Sequence, residues 1–320
     1  MAMIFAVLLT IFFLQTSVQA ADKIRISIPG LASIFMTFPL AYKKGFLKEE
    51  GVEAEIIRIS SAGGASRATL ASGEVDYGVG IAAMVRVALT GLPVKVLACH
   101  VPVPVNVLVA QPNIKSVPEL KGKTIGILNP GSPPDFMTRM IARHFGLDPE
   151  RDIKLVSVGP PEARFVALTQ GIVHATLLSP PFDFEAKKLG FNVIAKANEI
   201  ITFPETGLIA GVKKIQEKPD EIKRVIRAGI KANHYIRGNR DGTIQFLMEW
   251  LKINREVATA THESVVKAFD DDASLCEKGI RVAMDESTKA LKINRDIPLS
   301  EVADLSILRE AQRELGIRGQ

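Results

Sequence analysis

Short runs of alternating apolar and polar residues recur between longer helical patterns from residue 23 to about residue 201. The runs are rich in β-branched residues and are bounded by Gly, Pro and Ser, as is typical of βαβ units and a mostly parallel sheet. One further run follows near residue 206. The predicted strands are Ile24–Ile28, Ala54–Ile59, Tyr77–Val79, Val94–His100, Val107–Ala110, Thr124–Leu128, Lys154–Val158, Ala175–Leu178, Val193–Ala195 and Thr206–Val212.

The pattern of this region is repeated once, at an offset of about 100 residues. Lys23 begins a strand that stops at Pro29-Gly30, and Lys123 begins one that stops at Pro130-Gly131. Solenoid repeats have periods of about 20–50 residues, so a period this long indicates two whole α/β lobes of similar plan. Two such lobes enclose a cleft.

The rest of the chain has a helical pattern. The predicted helices are Pro219–Gly238, Thr243–Leu251, Ser264–Phe269, Gly279–Leu291 and Ser300–Leu315, with Ser300 as an N-cap. An apolar face that includes Phe246 and Trp250 needs a partner, and we expect this tail to pack on the first lobe. The predicted division is then 21–108 with 206–320 for lobe one and 109–205 for lobe two. The chain would cross between lobes near residues 105–111 and 203–208, which forms a hinge.

Loops rich in Gly, Ser and Pro follow the predicted strands in both halves. In open α/β sheets, ligands bind outside the carboxyl ends of the strands, where free N–H groups at helix starts favour an anion or a polar oxygen. A single loop of this kind is more often an ordinary turn, but six at equivalent strand ends predict a ligand site. The candidate ligand-binding residues are Gly30, Leu31, Ser33, Phe35, Ser61, Gly63, Gly64, Gly80, Ala82, Pro102, Gly131, Ser132, Pro133, Glu162, Ser179, Pro180 and Pro181.

Several side chains near these loops are compatible with two interpretations. Arg67 and Arg164 stand near the starts of matching helices, where each either clamps a carboxylate or sulfonate or lies on a solvated helix face. Glu162 either contacts a ligand or caps its helix. The aromatic residues that could line the cleft are Phe35, Phe38 and Phe203, with Phe35 the first choice.

Composition narrows the classes of function. The chain has 320 residues, 47% of them hydrophobic, and a net charge of only +5, without a basic stripe interleaved with aromatics. Nucleic-acid binding is therefore not expected. The five His residues form no metal-ligand spacing, and no phosphate loop, dinucleotide fingerprint or nucleophile elbow is present. We expect no metal, no cofactor and no catalytic residue.

The N-terminal pattern predicts a signal peptide for export, over residues 1–20. The first 21 residues carry no charged side chain, and an apolar run over residues 4–14 precedes a small-residue site at Ala20. The run is shorter than the roughly 20 residues of a membrane span, which argues against an uncleaved anchor. No Cys follows, so a lipoprotein is not expected. The missing positively charged n-region leaves open a start upstream of Met1.

Five segments carry a family resemblance: Gly45–Gly51, Leu70–Asp76, Gly91–Lys95, Ile114–Gly126 and Leu178–Pro181. They resemble the periplasmic substrate-binding proteins of ABC importers, in the branch that takes up sulfonates, nitrate, taurine and thiamine-precursor pyrimidines. The resemblance implies a two-lobed type II binding-protein fold and a monomer in the periplasm. It also implies capture of a small anionic or aromatic solute and delivery to a membrane permease with its ATPase. It does not identify the solute.

Two other functions are compatible with the same fold. Relatives of this family include enzymes that make the thiamine pyrimidine or act in menaquinone synthesis, and the first kind carries a cysteine-rich motif that this chain lacks. A ligand-binding module of a sensory system is the other alternative. Because an exported protein would not meet cytoplasmic substrates, we expect a receptor without catalytic activity.

Overall fold

The computed structural model describes residues 22–59, 65–274 and 277–317, and the side chains of residues 65–67 and 82 are not described. The predicted signal peptide and the candidates Ser61, Gly63 and Gly64 lie outside the described residues. The strands are β1 (Asp22–Ile28), β2 (Val52–Arg58), β3 (Tyr77–Gly80), β4 (Val94–Val101), β5 (Val107–Ala110), β6 (Thr124–Ile127), β7 (Lys154–Ser157), β8 (Ala175–Leu178), β9 (Asn192–Lys196) and β10 (Thr206–Gly211).

These strands form two sheets of the same plan, with the orders β2-β1-β3-β10-β4 and β7-β6-β8-β5-β9. In the first sheet β10 runs antiparallel to β3 and β4, and in the second β5 runs antiparallel to β8 and β9. Each sheet thus has four strands in one direction and one opposed to them. Every predicted strand is present, and the mostly parallel two-lobed plan is confirmed.

The helices are α1 (Thr37–Lys44), α2 (Phe46–Glu49), α3 (Ala65–Ser72), α4 (Ile81–Leu89), α5 (Pro133–His144), α6 (Pro161–Thr169), α7 (Phe182–Lys188), α8 (Val212–Glu217), α9 (Pro219–Gly238), α10 (Arg240–Leu251), α11 (Arg255–Val265), α12 (Glu277–Leu291) and α13 (Ser306–Glu314). Within the described ranges, none of them combines the length and apolar character needed to cross a membrane.

Two of the predicted tail helices are wrong. The segment Ser264–Phe269 holds only the last two residues of α11 and a 3₁₀ turn, Val266–Ala268. Helix α11 starts nine residues before Ser264, after an N-cap by Asn254, whose side chain accepts from the Val257 N–H. Its buried face carries Thr261 and His262 among smaller apolar residues, which weakens the apolar period. The segment Ser300–Leu315 is a short 3₁₀ turn followed by α13, so Ser300 does not cap the helix.

The C-terminal helices pack on the first sheet, as predicted. Helix α9 lies against α1 and α13, and its buried residues Ile222, Val225 and Ile226 share one core with β1, β3 and β4. Helix α12 packs on α4, which follows β3. We call the first sheet with its helices and this tail the first lobe, and the second sheet with its helices the second lobe.

The chain passes between the lobes twice, over residues 102–106 and 197–205. The two crossings are bonded to each other: the Val105 N–H donates to Glu205 Oε2 at 3.4 Å, and the Ala197 N–H donates to the Asn106 carbonyl at 2.9 Å. Since β5 belongs to the second sheet from Val107 onward, the first crossing lies just before the predicted boundary at residue 108. The division into domains remains a prediction.

Candidate functional site

A cleft with about 890 Å³ of empty space, part of it open to solvent, lies between the two lobes. Both lobes and both crossings contribute to its walls. The lining residues are Ser27, Pro29, Ile34, Phe35, Gly78, Val79, Gly80, Ala83, Met84, Asn106, Leu128, Pro133, Pro134, Met137, Pro160, Pro161, Arg164, Ser179 and Glu205.

The sheets place this cleft at the carboxyl ends of their strands, as expected for open α/β sheets. Gly80 ends β3, and Ser179 follows β8 directly. Helices α5 and α6 begin at the cleft with proline pairs, Pro133-Pro134 and Pro160-Pro161. Proline suits the first turn of a helix because its ring fixes φ and that turn does not need its N–H. These pairs give the second-lobe wall a rigid apolar surface.

Arg164 is the charged residue of the second-lobe wall. It lies on the first turn of α6 with only 3% of its surface exposed. Its Nε and Nη1 atoms are buried and have no hydrogen-bond partner in the described part of the chain. Burial lowers the pKa of the guanidinium to about 10, while the nearby Glu162 and Glu205 act in the opposite direction. Arg164 therefore keeps its positive charge at neutral pH.

Two polar side chains from the crossings form the base of the cleft. Glu205 is buried, and its burial raises the pKa of the carboxyl to about 8, although the Val105 N–H and Arg164 lower it. At neutral pH the carboxyl is mainly uncharged. Asn106 is buried as well, and its Oδ1 has no partner among the described residues. Among the described side chains, the site thus combines one cation with neutral polar groups.

The lobes touch each other around the cleft. The Ser33 N–H and Oγ–H both donate to the Pro180 carbonyl oxygen, at 3.3 and 2.8 Å. Gly30 lies close enough to the second lobe that an added Cβ would be 3.7 Å from Pro161. Ion pairs Lys188–Glu256 at 3.1 Å and Arg143–Glu286 at 3.3 Å join the lobes farther out. This arrangement is the closed one, in which a bound molecule would contact both lobes.

The predicted site residues fall into several groups. Phe35, Gly80, Pro133 and Ser179 line the cleft. At the lobe–lobe contact lie Gly30, Ser33, Pro180 and Glu162, the last of which is 3.8 Å from a Cβ built on Gly30. Leu31, Pro102 and Pro181 line neither this cleft nor the second cavity that is described below. Ala82 is in α4 next to Ala83 of the cleft wall, but its side chain is not described.

A second cavity, with about 1440 Å³ of empty space that is partly open to solvent, accounts for two more candidates. Gly131 and Ser132 line it, and the Arg86 side chain reaches over Gly131 from the first lobe. The aromatic alternatives are core residues: Phe203 stacks on Phe136 at 4.7 Å, and Phe38 packs edge-on against His100 at 5.1 Å. Of the three aromatics, only Phe35 is in the cleft. The role of every candidate in binding remains a prediction.

The sequence interpretation missed Ser27, Asn106 and Glu205. The signal for Glu205 was present, because it is the only charged residue between Glu199 and Lys213. A lone carboxyl in an apolar stretch is expensive to bury and points to a special environment. For Arg164 the clamp was one of two open interpretations, and its burial excludes a solvated helix face. Among the described residues no group of three His, Cys, Asp or Glu could hold a metal ion.

The raised pKa of Glu205 predicts a change in stability with pH. The folded-state pKa of about 8 lies above the unfolded value, so folding favours the protonated carboxyl, and wild-type stability falls as pH rises from about 4.5 to 8. Glu205→Gln removes that fall, because the amide does not ionise. We expect the variant to gain roughly 2 kcal/mol or more over wild type between pH 5 and pH 8, measured by urea unfolding. Glu74→Gln, at an exposed glutamate, serves as the control. If the free energy of unfolding of Glu205→Gln differed from that of wild type by the same amount at pH 5 and at pH 8, the expectation would be contradicted.

The sequence and the fold are similar to those of known proteins. A sequence model of the NMT1/THI5-like family matches residues 33–242. A curated relative from Brucella abortus (strain 2308), whose name describes a binding protein, is 24% identical over 245 residues, which are 75% of each chain.

Two solved structures share the fold. The periplasmic nitrate-binding protein NrtA of Synechocystis PCC 6803 has a TM-score of 0.78 at 15% identity, covering 92% of this chain and 89% of its own. The alkanesulfonate-binding protein SsuA of Xanthomonas axonopodis pv. citri, bound to MOPS, has a TM-score of 0.72 at 17% identity, covering 92% and 98%. These matches confirm the predicted fold and the family resemblance.

Proposed function

Because the chain belongs to the NMT1/THI5-like family, we propose that it is the solute-binding component of an ABC-type importer. It captures a small organic solute between its lobes and delivers it to a membrane permease. The observation that carries the proposal is the cleft between the lobes, which is lined by Arg164 of the second lobe and Asn106 of the first crossing. Both side chains have buried polar atoms that lack partners in the described part of the chain. Buried polar groups without partners are costly unless a ligand satisfies them.

The proposed mechanism is closure about the two crossings. Arg164 belongs to the second lobe and Phe35 to the first, so one solute that contacts both stabilises the closed arrangement over the open one. Glu205 and Asn106 lie on the crossings themselves, where a ligand contact acts directly on the hinge. No covalent step is part of this mechanism, and the solute leaves unchanged.

The proposal includes a location and partners. Export by the signal peptide over residues 1–20 would place the protein in the periplasm as a monomer, next to a permease and its ATPase. This proposal rests on the apolar N-terminal pattern and on the periplasmic nitrate-binding protein with the same fold. The related proteins named above are binding proteins, which favours a receptor over an enzyme.

Two measurements on the purified protein test this function. Native mass spectrometry identifies a copurifying or added solute, and small-angle scattering compares the radius of gyration with and without it. We expect a bound solute of unchanged mass after incubation, together with compaction on binding. A chemically altered solute would favour the enzyme alternative. A bound solute with no compaction, starting from an open ligand-free state, would contradict closure.

Ser33 gives a direct test of the lobe–lobe contact. The Ser33→Ala variant loses the 2.8 Å side-chain hydrogen bond to the Pro180 carbonyl, which joins the two lobes in this arrangement. One such bond contributes about 1 kcal/mol, so we expect the solute affinity to fall about fivefold, measured by calorimetry. The matched control is Ser72→Ala, whose hydroxyl donates to the Thr69 carbonyl and accepts from the Glu74 N–H, both within the first lobe. Equal affinity for Ser33→Ala and wild type would show that this contact does not contribute to closure.

A further inference from the structure

As far as its side chains are described, the cleft has two chemically distinct parts, a single cation and an apolar wall. We propose, building on the function proposed above, that the solute is an organic anion with an oxyanion head group held by Arg164 and an apolar body held between the proline pairs and Phe35. The head group is a carboxylate or a sulfonate, since both present coplanar or adjacent oxygen atoms to a guanidinium.

The cation carries the first half of this inference. Arg164 is 97% buried, given its 3% exposure, and two of its nitrogen atoms lack a partner among the described residues. A buried charge without a direct counter-charge is strongly unfavourable in a folded protein. An oxyanion in the cleft would satisfy the free N–H groups and neutralise the charge at the same time.

The neighbouring carboxyl groups do not replace this anion. Burial raises the pKa of Glu205 to about 8, so it is mainly neutral at pH 7 and does not neutralise the guanidinium. Glu162 also acts electrostatically on Arg164, more strongly than Glu205 does. It makes no hydrogen bond with the unpaired Nε and Nη1 atoms of Arg164, and its buried Oε2 lies 3.8 Å from a Cβ built on Gly30 at the lobe–lobe contact. A neutral Glu205 can instead donate a hydrogen bond to the head group, together with the amide of Asn106.

The apolar wall carries the second half. Besides the proline pairs, Phe35, Met84, Leu128 and Met137 line the cleft. A bare inorganic anion would leave this surface without a partner, whereas an aromatic or aliphatic body would bury it. The methionines adapt to the shape of that body because their side chains are unbranched and flexible.

The test compares acids with their neutral amides on the wild-type protein. The probes are benzoate, phenylacetate, hexanoate and benzenesulfonate, each beside its amide, with nitrate as a head group that has no body. We expect at least one acid to raise the melting temperature at millimolar concentration while its amide and nitrate do not. The carboxylate and sulfonate arms show which head group the site takes.

Variants of Arg164 assign the effect to this residue. Arg164→Met should weaken binding of the effective acid about 100-fold. It should also leave the ligand-free melting temperature equal or higher, because a buried unpaired charge is removed. A purely structural arginine would give the opposite change in melting temperature. Arg151→Met, at a side chain 82% exposed on the same lobe, is the control and should change neither quantity.

The outcomes separate this inference from the function on which it rests. An amide that binds as well as its acid, or an acid whose affinity survives Arg164→Met, would overturn the inference. Failure of every acid, with a neutral solute found by native mass spectrometry, would overturn the inference and leave the binding function standing. Failure of every probe, with no solute found at all, would contradict both. The acid–amide comparison needs no variant, so it decides the question even if Arg164→Met does not fold.

Discussion

Gly207→Ala should lower the free energy of unfolding by about 3–5 kcal/mol or prevent folding altogether. Gly207 lies in β10, the strand that runs between β3 and β4 in the first sheet. A Cβ added there would be 1.9 Å from the carbonyl oxygen of Ala98 and 2.7 Å from Ile81 Cδ1. The backbone of β4 cannot move away without breaking its pairing with β10. Urea unfolding followed by circular dichroism measures the effect.

The matched control for this variant is Gly211→Ala in the same strand. Its added Cβ would meet only the Pro93 carbonyl oxygen, at 3.8 Å, which is an ordinary contact. We expect a change within about 1 kcal/mol for the control. A Gly207→Ala protein as stable as this control would show that β4 and β10 separate more easily than their packing indicates. Glu205 precedes Gly207 by two residues, so an easier separation of β4 from β10 would also affect the base of the cleft.

Local sequence patterns were sufficient for most of the fold. The strands alternate apolar and polar positions or form short β-branched runs, and these signals depend on near neighbours alone. Helix α9 was predicted with its ends at Pro219 and Gly238, since a proline marks its start and its apolar stripe is strong. Helix α11 was misplaced because its buried face includes Thr261 and His262, which look polar in sequence but are covered by the rest of the lobe.

The site was harder to predict than the fold because it depends on how the lobes meet. Loops after strands can be located from sequence, and Gly80, Pro133 and Ser179, which line the cleft, were predicted on that ground. Phe35 was predicted instead as an aromatic residue that could line the cleft. Glu205 and Asn106 belong to the crossings, which no strand-end rule identifies. Gly131 and Ser132 follow a strand in the same way, yet they line the neighbouring cavity instead, where Arg86 of the other lobe covers Gly131.

Lys214→Met should lower the free energy of unfolding by about 3–4 kcal/mol. The Lys214 ammonium contacts Glu221 Oε1 at 2.6 Å and Asp76 Oδ1 at 2.9 Å, and the Tyr77 hydroxyl donates to the same Glu221 oxygen at 2.7 Å. Glu221 is buried, so the variant leaves its carboxylate without a cation. Burial opposes the charge of Lys214, but its hydrogen bonds with Glu221 and Asp76 raise its pKa overall. Its contribution is therefore present below the unfolded pKa and is lost as pH rises through the folded pKa.

Two further variants show whether the buried carboxylate is the cause. Lys213→Met changes the neighbouring residue of α8, whose side chain is 84% exposed, and should alter stability by less than about 0.5 kcal/mol. The double variant Lys214→Met with Glu221→Gln should recover much of the loss, because no uncompensated charge then remains inside. If the double variant were as unstable as the sum of its single changes, the ion pair would not be the cause. Tyr77 begins β3, and Gly78 to Gly80 of that strand form the cleft wall, so this network fixes the wall from behind.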